Sequence, residues 1–361
     1  MKLQPFVSII ILNYNGKDYL KKCLDSVLKT EYPNFEVILV DNSSTDRSLS
    51  LAEESFGFDK RLRIIRNSSN LGFSGGNNVG FKHAKGNFIA FLNNDTIVDS
   101  NWLTSLVDVM EKDETIGLAQ SMLLKIDGQE VQTAGSLLSD YLVLQRILFE
   151  DRPSNIKTPS VFETSYACGA AFIIRRELIN EIGLFDPKLP FYYDDTLLSF
   201  KTWLSGKRVV VVSKSKVCHA KGVNLVWKTY FTSFHSTRAY ECLIFDVYFN
   251  LKTLFTAIII FSIVSLNHSL FALRSKNFAV FSANVQASSW VIRNLPWIWA
   301  NRLKHWSKAK ITPAMLLAKF IRINVPTPIY LMPNRIASAY YKNKIEEYER
   351  NLMQISVVNE T

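Results

Sequence analysis

The run from Phe88 to Leu92 is wholly apolar and stops at Asn93, Asn94 and Asp95. Such a run suits a strand buried on both faces, and a strand of that kind needs other layers above and below it. The pattern occurs twice before. Val7 to Leu12 run into Asn13, Tyr14 and Asn15, and Phe35 to Val40 run into Asp41, Asn42 and Ser43. From Asp18, the residues Leu20, Cys23, Leu24, Val27 and Leu28 recur at helical spacing, with Pro33 closing the segment. Ser44 to Asp46 supply cap residues for a second helix near Arg47 to Ser55, and Leu62 to Ile65 form a third strand. Strands alternating with helices imply parallel β-α-β units, hence an α/β, doubly wound and mostly parallel sheet. Open sheets of this type bind ligands beyond the carboxyl ends of their strands. The Asn and Asp clusters fall there, and a carboxylate with two amides suits a hard divalent cation and a sugar diphosphate.

Asn70 to Asn78 reads as a small-residue loop whose Gly72, Gly75 and Gly76 let backbone approach a ligand. A short helical segment with Val79, Phe81 and Ala84 follows, ended by Gly86. No Gly-x-Gly-x-x-Gly follows the first strand and no Gly-x-x-x-x-Gly-Lys-Ser/Thr occurs, which argues against a nicotinamide dehydrogenase and a P-loop NTPase. Taken singly, the motifs have plain readings: a turn at Asn93 to Asp95, a helix cap at Asp41, loop punctuation at the glycines.

Further along, residues 101–110 are helical and Ile116 to Gln120 a strand, while residues 121–165 are less regular. Ala167 to Ile174 is a strand leading into a helix that ends at Ile182. Phe191, Tyr192 and Tyr193 precede Asp194 and Asp195, which open a helix to Ser205. A strand from Lys207 to Ser213 then leads to Val217, Cys218, His219, Ala220, Lys221 and Gly222.

In this order the motifs closely resemble the family 2 glycosyltransferases, particularly their rhamnosyltransferase-like branch, over roughly residues 5–225. The resemblance implies a GT-A-type nucleotide-diphospho-sugar transferase fold, Rossmann-like, with a helical C-terminal extension. It implies that Tyr14 packs on the nucleotide base and Asp41 accepts a hydrogen bond from it. Asn13, Asn70, Gly75, Gly76, Asn77, Asn93 and Asp194 are the other implied substrate-binding residues. Asp95 and His219 are the implied ligands of a divalent metal ion, Mn2+ or Mg2+, and Asp195 the implied general base. Asp194 stands where the family has Glu, Leu197 where it has a later Asp, and Lys201 where it has Arg, which leaves a salt bridge or acceptor contact open. The expected activity is inverting transfer from a nucleotide sugar donor to a hydroxyl of a glycan or polyprenyl-linked saccharide, within polysaccharide biosynthesis. Two alternatives stay open. A sugar nucleotidyltransferase would need a glycine-rich, Arg- and Lys-bearing loop where Asn13 to Gly16 stand. A non-catalytic sugar-nucleotide-binding protein is suggested by the acid lost at Leu197.

The charge is asymmetric. Residues 1–225 hold 26 basic and 26 acidic residues, whereas residues 226–361 hold 16 and 6, so the whole net charge of +10 lies in the second segment. Five of the seven Trp residues lie there too (Trp227, Trp290, Trp297, Trp299 and Trp306), and Trp with Lys and Arg is the composition of a membrane interface. The reading is therefore a catalytic domain over 1–225 and a helical, membrane-associated region over 226–361. An anionic membrane surface is the expected partner, and nucleic acid is not, since no nucleic-acid module signature occurs. Residues 253–273 lack charge, but their strongly apolar part, Leu254 to Leu266, is short for a span. Peripheral, re-entrant and single-span attachment all remain open, as does an amphipathic extension packed on the catalytic domain. No signal peptide is read at the N-terminus and the four cysteines form no disulfide pattern, so the expected location is the cytoplasmic face of the membrane.

Overall fold

The computed structural model describes residues 4–139, 145–220, 229–248, 250–323 and 334–358. The expectations at Lys221, Gly222 and Trp227, and the boundary at 225–226, lie outside the described residues. The first half alternates as the sequence implies: β1 (Val7–Asn13), α1 (Leu20–Leu28), β2 (Phe35–Asp41), α2 (Ser48–Phe56), β3 (Leu62–Arg66), α3 (Gly72–His83) and β4 (Phe88–Asn93). Next come β5 (Thr96–Val98), α4 (Trp102–Lys112), β6 (Ile116–Lys125), β7 (Val131–Thr133), β8 (Ser136–Ser139), β9 (Gln145–Ile147) and β10 (Val161–Glu163). They lead to β11 (Ala171–Arg175), α5 (Arg176–Ile182), α6 (Asp194–Leu204) and β12 (Arg208–His219). The C-terminal segment is α7 (Tyr230–Val247), α8 (Leu251–Arg274), α9 (Phe278–Arg293), α10 (Leu295–Trp306), α11 (Pro313–Phe320), β13 (Ile321–Ile323) and α12 (Asn334–Val358).

The main sheet runs β10-β12-β6-β11-β4-β1-β2-β3. Strands β4, β1, β2 and β3 are parallel, while β11 lies antiparallel between β4 and β6. That inversion puts the start of β11 beside the end of β4, Ala171 opposite Leu92. Alternate residues of β1 face different layers. Ile10 belongs to a core shared with side chains of α5 and α6, and Ile9 and Ile11 to one shared with those of α1 and α4.

The expected loop over Asn70–Asn78 is instead helix from Gly72 onward. Gly76 and Gly80 lie one turn apart on the face of α3 that meets the sheet. A Cβ on Gly76 would lie 2.3 Å from Leu12 Cδ1, and one on Gly80 would lie 2.5 Å from Ile10 Cγ2. The missing side chains thus let helix backbone come close to β1 and β2, and Gly76 faces Leu12 rather than a ligand. The expected strand from Ala167 is also shorter, starting at Ala171.

The C-terminal segment packs back on the rest. Asn301 Nδ2 donates to Asp186 Oδ2 at 3.0 Å, Lys310 N–H to the Leu204 carbonyl, and Glu349 Oε1 accepts from Phe149 N–H at 2.6 Å. Strand β13 pairs with β8. Among the described residues, no helix is long and apolar enough to cross a membrane.

Gly80→Ala tests the α3 contact. Helix propensity alone favours Ala by about 1 kcal/mol, but overpacking against Ile10 costs about 1–3 kcal/mol. The expected result is a lower denaturant midpoint, and a raised one would refute the close approach.

Candidate active site

The ends of β4, β1 and β2 carry the polar clusters side by side, with Asn13 opposite Asp41 and Leu12 opposite Asn93. Asn13 is fully buried. Its Nδ2 lies 3.0 Å from Asp41 Oδ1 and 2.8 Å from Ser48 Oγ, and its Oδ1 accepts from Asn94 Nδ2 at 2.8 Å. Gly16 makes room for this pair, since a Cβ there would sit 2.2 Å from Asn94 Nδ2. Asp41 Oδ2 accepts from Ser44 N–H at 3.0 Å, so both oxygens of this buried carboxylate already hold a protein donor. Tyr14, the next residue, is half exposed and presents a free aromatic face at the strand end.

Asn42 organises the neighbouring loop. Its Oδ1 accepts from Asn67 Nδ2 and Leu71 N–H, and its Nδ2 donates to Asn70 Oδ1 and to the Gly72 carbonyl. Asn70 is exposed, with its Oδ1 also taking the Gly72 N–H. Asn77 is buried within α3 and donates to the Phe73 carbonyl. Gly75 lies in the same helix, where a Cβ would meet Leu71 Cβ at 2.8 Å. Of the implied donor-binding residues, Asn13, Tyr14, Asp41 and Asn93 gather at the strand ends, while Gly76 and Asn77 are set into α3.

After Asn93 the chain turns through Asn94 and Asp95 into β5, which pairs with the end of β12, Thr96 opposite His219. This pairing brings His219 Nε2 to 3.2 Å from Asp95 Oδ1 and 3.5 Å from Asn93 Nδ2. The other ring nitrogen, Nδ1, lies 2.7 Å from Gln132 Oε1. An amide oxygen can only accept, so Nδ1 carries the proton and a neutral ring leaves its Nε2 lone pair toward Asp95. A carboxylate and an imidazole nitrogen, with the imidazole fixed from behind, fit a divalent ion that completes its shell with phosphate and water. No cluster of three or more His, Cys, Asp or Glu side chains placed for a metal occurs among the described residues. Gln132 carries no sequence signal. It lies in the less regular stretch 121–165, and only the pairing of β7 with β6 brings it here.

The acid pair stands at the start of α6. Tyr192 and Tyr193 precede it with φ of 66° and 58°, a left-handed conformation that non-glycine residues seldom adopt. Pro190 O accepts from Phe73 N–H at 2.8 Å, and Leu189 O from Ser74 Oγ at 2.6 Å, so the first turn of α3 holds the segment leading into the acids. Asp195 Oδ2 accepts from Gly169 N–H at 2.8 Å and Oδ1 from Thr196 N–H at 2.7 Å. Beside Gly169, Ala170 O accepts from Asn93 N–H at 2.9 Å, so one residue of backbone joins the acid pair to the Asp95–His219 strand end. Burial raises the Asp195 carboxyl above the usual aspartate range, opposed by these N–H donors. Asp194 is raised well above that range by burial and by the Asp195 charge, and its Oδ1 has no hydrogen-bond partner.

The two departures at 197 and 201 have structural positions. Leu197 is buried in the core. Lys201 Nζ donates to the carbonyls of Gly183 and Leu184 at 3.0 and 2.6 Å, and burial pushes its pKa down to about 8. Lys201 therefore holds the 183–184 turn.

An α/β sheet with Asn and Asp at its central strand ends, an acid–imidazole pair where β5 meets β12 and an acid pair on the facing helix defines a GT-A-type sugar-nucleotide transferase fold. Residues 8–183, just under half of the chain, match the model of glycosyl transferase family 2. Over 132 residues, 37% of this chain, it is 35% identical to an uncharacterized glycosyltransferase of Haemophilus influenzae, spanning 41% of that protein. It is 31% identical over 226 residues, 60% of this chain, to the O-antigen biosynthesis protein RfbC of Myxococcus xanthus, spanning 17% of that protein. Among solved structures, it superposes with a TM-score of 0.53 on the mannosyltransferase PcManGT from Pyrobaculum calidifontis in complex with GDP-Man and Mn2+. That match has 17% identity and covers 88% of this chain and 86% of the other, a likeness of fold.

Asp194→Asn gives a stability test with a definite sign. A carboxyl raised in the folded state must surrender its proton at a cost as pH climbs from its unfolded value, about 3.9, through its folded one. Asn never pays that cost. The variant's melting temperature should match wild type near pH 4 and exceed it at pH 8. A variant less stable than wild type at pH 8 would contradict the assignment.

Proposed function

We propose that this chain is an inverting glycosyltransferase, moving a sugar from a nucleoside diphosphate donor to a hydroxyl of a glycan or lipid-linked saccharide. The observation that carries this reading is the bridge at Gly169 and Ala170, which sets the Asp195 carboxylate beside the strand end bearing Asp95 and His219. A single displacement needs a base on the acceptor side and a charge sink on the leaving-group side, close together.

Tyr14 offers a face on which a nucleotide base stacks. Asp195 accepts the proton of the acceptor hydroxyl as that oxygen attacks the anomeric carbon, and its raised pKa brings its basicity closer to the working pH. The Gly169 and Thr196 N–H groups hold the carboxylate in one orientation through the transfer. Asp95 and His219 would hold a divalent ion, which when bound supplies positive charge against the departing diphosphate. No covalent enzyme intermediate is required. The likeness to a mannosyltransferase solved with GDP-Man and Mn2+ supports the donor class and the ion, and the identity to an O-antigen biosynthesis protein supports a polysaccharide acceptor.

Two variants test this. Asp195→Asn should lower turnover, read as release of nucleoside diphosphate, by about 10²–10⁴-fold, with donor affinity nearly unchanged. Asp194→Asn should cost less. Normal turnover in Asp195→Asn would place the base elsewhere. Asp95→Ala should abolish the gain in calorimetric affinity for a nucleoside diphosphate that Mn2+ gives wild type, and equal affinity with and without EDTA in wild type would remove the metal from the scheme.

A further inference from the structure

Helix α8 is 24 residues long and, between Lys252 and Arg274, carries no charged side chain. One side is buried through Leu254, Ala257, Ser269 and Ala272. The opposite side shows solvent a row of Leu251, Phe255, Ile259, Ile263, Leu266 and Leu270. Spacings of three and four residues place these side chains on one face along the helix, a stripe roughly 30 Å long. Phe255 is 63% exposed and Ile259 59%, values ordinary for lysine. A contiguous exposed apolar surface of that length marks an interaction site.

Charge identifies the occupant. Lys252 and Arg274 flank the stripe and Lys276 follows in the turn before α9, all three exposed. Between Asp246 and Glu346 lie 99 residues with no Asp or Glu and 13 Lys or Arg. A second copy seated on the stripe would bring its own acid-free surface against this one and repel it. An anionic bilayer meets both demands, with acyl chains for the stripe and headgroups for the flanking cations.

We propose that α8 lies in the plane of an anionic membrane surface, its Leu251–Leu270 stripe inserted at the headgroup–acyl boundary and Lys252, Arg274 and Lys276 on lipid phosphates. The helix docks along its length and does not cross. The contact is separate from sugar transfer, so its tests read lipid partition and not turnover.

The full chain is sedimented with vesicles of phosphatidylcholine alone and of phosphatidylcholine with about 30% phosphatidylglycerol. Binding should be about tenfold greater on the anionic vesicles. Phe255→Ser/Ile259→Ser/Leu266→Ser should lose binding to both. Lys252→Gln/Arg274→Gln/Lys276→Gln should lose the anionic preference and keep weak residual binding. Hydrogen exchange on the wild-type chain needs no variant to fold: anionic vesicles should slow exchange across residues 251–274. Wild type remaining in the supernatant, unchanged exchange in that segment, or full binding by the triple Ser variant would each overturn the proposal. So would a lipid-free dimer that the Ser substitutions convert to monomer without any vesicle binding, since the stripe would then be a contact between copies.

Discussion

Two adjacent peptide groups, Gly169 and Ala170, hold the candidate site together. One donates its N–H to Asp195 on α6 and the other lends its carbonyl to Asn93 at the end of β4. The arrangement depends on β11 running against its neighbours, because only an antiparallel strand starts where β4 ends. A Cβ on Gly169 would stand 3.3 Å from Asp195 Oδ2, so a bare backbone lets the carboxylate come down onto the N–H. Buried hydrogen bonds to a charged acceptor are among the stronger ones a protein makes. This one fixes the acid and also moderates the rise in its pKa.

The strand ends were legible in the sequence, and for a physical reason. A strand buried on both faces must be apolar throughout, so the residue at which polarity returns marks where the sheet ends and ligand space begins. Asn13, Asp41 and Asn93 fall at such points. Helix α3 was not legible in its first half. Gly72, Gly75 and Gly76 have poor helix propensity and read as loop, yet Gly76, with Gly80 a turn later, packs so closely on Leu12 and Ile10 that only glycine fits on the inner face. Gln132 was beyond reach, because orienting His219 depends on a strand pairing with no local pattern. Gly169 is bare because Asp195 comes down on it, but a small residue before a strand does not say which side chain it faces. Leu197 and Lys201 looked like lost polar contacts, and the structure gives both a place in packing and in the 183–184 turn.

The C-terminal segment shows how composition and geometry divide the information. Excess basic charge and Trp pointed to an anionic surface without saying which residues face it. The fold buries one side of α8 and leaves the other uncovered, and the proposed contact is on that uncovered side. The same segment also braces the sheet-bearing part, through Asn301 on Asp186, Lys310 on Leu204 and Glu349 on Phe149. Removing it would expose core as well as any docking face.

The first turn of α3 has a consequence for charge. Its leading N–H groups are the positive end of a helix dipole and in many nucleotide-binding folds they cradle a phosphate. Here Pro190 O already occupies them, so that pole is turned inward onto the protein's own chain. On the proposed function, a diphosphate arriving at the strand ends would meet the Asp95 carboxylate, a group of its own sign. Two such anions do not settle within a few ångströms of each other unaided. The folded chain has spent a potential anion hole on shaping the acid turn, and on that reading donor binding would answer to the supply of cations around it.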